Sequence, residues 1–74
     1  MNKDRRNRIQ SAIELVGQIN DALQSVLDEE QMVFDNIPEN LQGSERSMES
    51  EDAISNLEEA IDKIEEVVSI LENI

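Results

Sequence analysis

Between Glu51 and Leu71 the chain repeats one pattern three times in tandem: Glu51-Asp52-Ala53-Ile54-Ser55-Asn56-Leu57, Glu58-Glu59-Ala60-Ile61-Asp62-Lys63-Ile64 and Glu65-Glu66-Val67-Val68-Ser69-Ile70-Leu71. Apolar residues spaced alternately by three and four positions share one side of an α-helix, and a helix of that kind needs something to lie against. Ile54, Leu57, Ile61, Ile64, Val68 and Leu71 form the seam. Ala53, Ala60, Val67 and Ile74 flank it, while the paired acids fall on the opposite side. Ser44, directly after Gly43, is the best N-cap, with Ser47 and Ser50 as alternatives, so the helix is expected over residues 45–73.

The first half of the chain obeys the same period. Ile9, Ala12, Val16, Ile19, Leu23, Val26, Glu30, Val33 and Ile37 follow one another in steps of three and four, with Glu30 alone breaking the stripe. A second row, Ile13, Leu27 and Phe34 with Asn20 interrupting, widens this face beyond a narrow seam. Asn2 or Asp4 can cap the start, and Pro38 disfavours helical geometry at Ile37, which places this helix at residues 3–36. The connecting residues 37–44 hold the single proline. Pro38 can open a short helical turn through Gln42, Gly43 can supply a left-handed stop, and Ser44 can begin the next helix.

Helices of this length, about 50 and 44 Å at 1.5 Å per residue, match well enough to lie side by side. The short connection favours an antiparallel hairpin in a single domain spanning residues 1–74. That geometry also accounts for a lopsided charge. Residues 1–8 carry four basic side chains against Asp4, whereas residues 9–74 carry Arg46 and Lys63 against seventeen acids, for a total of −12. Arg5, Arg6 and Arg8 sit at the unfavourable positive end of their own helix, but a hairpin lays them beside Glu65, Glu66, Glu72 and the terminal carboxylate. A hairpin uses one seam per helix, so the rows at Ile13, Leu27, Phe34, Ala60, Val67 and Ile74 are expected to stay wet in a monomer. The simplest cover is a second copy, giving a homodimeric four-helix bundle with those six residues at the interface.

Composition removes several functions. The chain has no cysteine and no histidine, which excludes a disulfide scaffold, thiolate catalysis and a zinc site. It lacks Tyr and Trp as well, and a narrow hairpin encloses no pocket, so no enzyme activity and no cofactor are expected. A strongly acidic surface with one aromatic residue repels nucleic acid and anionic membranes and offers no stacking platform. No long apolar run follows the basic start, so neither a signal peptide nor a transmembrane helix is expected, and the expected compartment is the cytoplasm.

Three surfaces remain as candidates. Successive acid pairs at 51/52, 58/59 and 65/66 stand about 10 Å apart along the axis. That spacing is too wide to share one metal ion, so they read as a solvated face. A rigid acidic row can also imitate a phosphate backbone and block a DNA-binding protein, with affinity falling steeply as salt rises. The connecting loop concentrates hydrogen-bonding side chains at Asn36, Asn40, Gln42 and Arg46, and these are the candidate residues for binding a protein or a small anion. Phe34, Ile37 and Leu41 can pack beneath it or form an apolar lip.

Asp4-Arg5-Arg6-Asn7-Arg8-Ile9, then Asp28-Glu29-Glu30-Gln31 leading into Phe34-Asp35-Asn36-Ile37-Pro38-Glu39-Asn40-Leu41-Gln42-Gly43-Ser44-Glu45-Arg46, and the Ala-Ile repeat of residues 53–61 together resemble a family of small acidic helical proteins encoded by phages and prophages. The resemblance covers most of the chain, and the loop motif carries it. Ser47-Met48-Glu49-Ser50 departs from the stronger helix formers usual at that place. The resemblance implies a phage or prophage context and no particular activity; the expected role is that of a non-enzymatic accessory protein binding a host or phage protein, with inhibition as one mode. Sequestration of a small anionic ligand such as a nucleotide, DNA mimicry, and a purely structural role stand as the alternatives.

Overall fold

Each helix begins and ends on a side chain suited to the task. In the computed structural model, which describes residues 1–74, the Asn2 side-chain oxygen accepts from the Arg5 N–H at 2.9 Å and opens helix α1, Lys3–Asp35. The helix stops because Pro38 cannot continue it and because Asn36 turns back: its side-chain amide donates to the Met32 carbonyl at 2.7 Å. A single 3-10 turn, Glu39–Leu41, follows directly after Pro38. Gly43 adopts φ 84°, a backbone region that a Cβ disfavours, and Ser44 then accepts from the Ser47 N–H at 3.2 Å to start helix α2, Glu45–Glu72. Each helix ends one residue before the expected boundary, where Asn36 and Asn73 take non-helical backbone angles and hydrogen-bond back onto the last turn.

The two helices run antiparallel and form a rod of 60 × 15 × 13 Å. At the open end Ile9 and Ile13 lie with Leu71; nearer the loop, the Ser50 hydroxyl donates to the Glu30 carboxylate at 2.6 Å. This is the single side-chain hydrogen bond joining α1 to α2. It gives the break in the apolar stripe a structural role. Ser47 and Ser50, weighed above as alternative caps, are instead buried against α1, and small hydroxyl residues there leave room for the Glu30 side chain.

On α2 the inward row is the expected one, Ile54, Leu57, Ile61, Ile64, Val68 and Leu71, all buried or half-buried. On α1 the expectation is corrected. The helix keeps Ile9, Val16, Leu23 and Glu30 inside, with Ile37 just past its end, but completes its face with Ile13, Asn20, Leu27 and Phe34 rather than with Ile19, Val26 and Val33, while Ala12 stays half-buried at its edge. Ile19, Val26 and Val33 are 52%, 49% and 47% exposed. Both choices satisfy the same alternation of three and four residues. The chosen one has three apolar residues against four, but they are the bulkier side chains, Ile13, Leu27 and the only aromatic ring, Phe34, and burying large side chains removes the most apolar area from water. Ile13, Leu27 and Phe34 are therefore half-buried within one chain rather than wet.

The cost of that choice is Asn20. Its side-chain oxygen is buried without a hydrogen-bond partner, near the level of Ile61, the one buried apolar residue. An orphaned buried acceptor costs about 1–3 kcal/mol. Replacing Asn20 by Leu should therefore raise the melting temperature by several degrees, at about 4–8 °C per kcal/mol for a domain of this size. Ser50→Ala, which strands the Glu30 carboxylate, should lower it by a comparable amount. Thermal melts followed by circular dichroism check both, and an Asn20→Leu protein that melts earlier would mean that the oxygen is satisfied in solution.

Candidate interaction surfaces

Seven residues advance an α-helix by almost two full turns, so residues seven apart stay in one row along its length. The inner face of α1 is bordered on one side by Ala12, Ile19, Val26 and Val33, each three residues past an inner position, and on the other by Gln10, Gly17, Gln24 and Gln31. On α2 the row three residues past an inner position is Arg46, Ala53, Ala60, Val67 and Ile74; the other border is Glu51, Glu58, Glu65 and Glu72. In two antiparallel right-handed helices, the same rotation away from the seam leads to the same broad side of the pair. Both apolar rows therefore share one face of the rod, and the glutamine and glutamate rows share the other. Val33 and Arg46, from opposite helices, line one groove, as this arrangement requires.

Of the six expected interface residues, then, Val67 and Ile74 are exposed on the apolar face and Ala60 is half-buried there. Ile13, Leu27 and Phe34 belong to the seam. The residues sequence reasoning missed for this face are Ile19, Val26 and Val33, which it had assigned to the interior. Their exposure could not be read from periodicity, because they continue the same stripe.

At the loop, Val33, Asn36, Ile37, Pro38, Leu41, Ser44 and Arg46 line an open groove of about 470 Å³. Two of the four candidate loop residues, Asn36 and Arg46, are brought together there; Asn40 and Gln42 do not line it and stand exposed on the 3-10 turn and just after it. Asn36 spends its amide on the Met32 carbonyl. Arg46 makes no salt bridge, so its guanidinium is free to take an anion from outside. Leu41, half exposed, forms the apolar lip together with Val33.

At the open end Arg6 and Glu72 border one groove of about 210 Å³ without coming within ion-pair distance. The salt bridges are internal to each helix, Arg8 to Asp4 at 3.2 Å and Lys63 to Glu66 at 3.7 Å. Of the expected pairing of the N-terminal arginines with Glu65, Glu66 and Glu72, only Arg6 and Glu72 border a common groove, and they make no contact. Long exposed side chains gain little from being fixed in a surface pair, and Arg6 instead donates to the Met1 carbonyl at 3.3 Å. No three carboxylates converge in a way that could hold a metal ion, and no helix is long and apolar enough to cross a membrane. Compared with family models, curated proteins and solved structures, the chain matches none.

The loop geometry separates structural from available side chains. Asn36→Ala should lose about 1 kcal/mol through the missing helix-end hydrogen bond, whereas Arg46→Ala should stay within about 0.5 kcal/mol of the parent, as exposed unpaired positions do. Urea denaturation of the two variants measures the difference. Equal losses would place Arg46 in the framework of the turn.

Proposed function

We propose that this chain is a non-enzymatic accessory protein of a phage or prophage, acting in the host cytoplasm as a dimeric four-helix bundle that binds and inhibits a host or phage protein. The observation that carries the reading is the division of the rod into two unlike broad faces. One is apolar and exposed. The other presents Glu51, Glu58, Glu65 and Glu72 in a straight row beside glutamines. A chain with one buried apolar residue gains little stability alone, and a second copy laid on the apolar face adds to that burial. The acidic face then points outward on both sides of the dimer. It fits a basic protein surface, such as that of a nucleic-acid-binding protein, by charge complementarity.

Static light scattering at micromolar concentration should give twice the 8.4 kDa chain mass. In a pull-down from host lysate, the parent protein should retain a partner that Glu51→Gln/Glu58→Gln/Glu65→Gln/Glu72→Gln releases, and retention should fall steeply as salt is raised. Retention indifferent both to the four substitutions and to salt would sink the acidic-face reading.

A second reading rests on the unpaired Arg46. The groove it shares with Asn36 and the apolar lip suits a small ligand with an anionic group and an apolar body, such as a nucleotide. A thermal-shift panel of nucleotides should then stabilise the parent protein and not Arg46→Ala. A flat panel rejects this reading.

A further inference from the structure

Resting on the dimeric bundle proposed above, we infer that the two copies pair antiparallel about a two-fold axis crossing the apolar face at the level of Ile19 and Ala60. In this arrangement α1 lies on α1 of the second copy and the two loops point to opposite ends.

The size of the face is sufficient. The outline of the rod, 60 by 15 Å, bounds this broad side at about 900 Å², room for a standard stable interface of roughly 800 Å² per partner.

The distribution of side chains along the face fixes the direction. About Ile19, the α1 row sets Ile19 on its own copy, Ala12 opposite Val26, and Arg5 opposite Val33. About Ala60, the α2 row sets Ala60 on its own copy and Ala53 opposite Val67. Ala12 and Ala53 thus each meet a valine, as interdigitation favours, while Ile19 and Ala60 meet their own copies on the axis. The two centres were found independently, one from each helix, yet they lie at the same height in the hairpin. Measured from the Glu30–Ser50 hydrogen bond, Ile19 is eleven residues away along α1 and Ala60 ten along α2. At 1.5 Å per residue the mismatch is about 1.5 Å. A single axis can therefore pass through both.

Charge points the same way. Residues 28–52, the loop end, hold nine acids against Arg46, a net −8. Residues 1–20 with 60–74, the open end, hold six acids against five basic residues, a net −1. A parallel pair gathers both −8 clusters at one end of the bundle. The antiparallel pair lays each of them against the basic N-terminus of the other copy, with Arg8 opposite Glu29, and like charge is dispersed. The groove that Val33 and Arg46 line is then roofed by Met1 and Arg5 of the second copy, which themselves border a separate apolar recess with Ile9 and Ala12. Each loop groove is complete only in the dimer.

The chain has no cysteine, so single-cysteine variants report the geometry directly. Ile19→Cys and Ala60→Cys should each be captured as covalent dimers, by oxidation or by a short bis-maleimide, for most of the chain. Val33→Cys should not, because its two copies stand about 42 Å apart along the axis in this arrangement. Ala60→Cys is the milder change and serves if Ile19→Cys weakens folding. The Ile19→Cys/Ala60→Cys double variant separates the alternative, since a parallel pair links only that protein. Self-linking of the single variants with no linking at Val33 supports the antiparallel axis. A dimeric mass by light scattering with neither single variant linked overturns this arrangement and leaves the bundle standing, whereas a monomeric mass overturns both.

Discussion

Everything in this molecule depends on two heptad rows being held face to face with very little interior to hold them. Ile61 alone is buried among the apolar residues; the rest of the apolar seam is only half-buried. A pair of helices has no third element to close its core, so burial can only be partial. The consequence reaches every other feature. The polar contact of Glu30 with Ser50 and the orphaned oxygen of Asn20 both lie in the seam. The first is a satisfied pair and the second an unsatisfied acceptor, and both mark height and register along a row that is otherwise smooth.

The incomplete core also gives the surface its meaning. Covering one broad side of the pair with a second copy supplies the missing layer, and the acidic row is already on the side that such a cover leaves free. In a chain carrying −12 overall, this segregation matters. Acids on the apolar side would oppose the proposed assembly, whereas on the far side they add solubility at no cost to it.

The loop shows how one short segment can be both framework and surface. Pro38, Gly43 and Ser44 are engaged by the backbone: the first opens the 3-10 turn, the second takes the left-handed angle, and the third caps α2. Asn36, a candidate for binding on composition, is engaged as well, through its bond to Met32. What remains free is Arg46, placed at the rim of the groove by the first turn of α2 and left without a carboxylate partner. The open end differs, because its arginines are spread around the circumference of one helix turn and find only local partners.

What the sequence determined by itself is everything settled within a few residues: two helices and their caps, the turn after Pro38, the left-handed Gly43 and the inner row of α2. These follow from backbone angles, caps and periodicity, which reach no further than a turn or so along the chain. The candidate site was legible to the same extent, as a loop rich in hydrogen-bonding groups, but not as a groove around Arg46, because that groove takes a wall from each helix. What only the tertiary structure decided is the rotation of α1 about its own axis. The row of Ile19, Val26 and Val33 and the row of Ile13, Leu27 and Phe34 are equivalent by period. They differ only in how much area each buries against α2, a quantity that has no value until the second helix is in place. That rotation exposes Ile19, Val26 and Val33 beside Ala60 and Val67, and with them the face on which the proposed assembly rests.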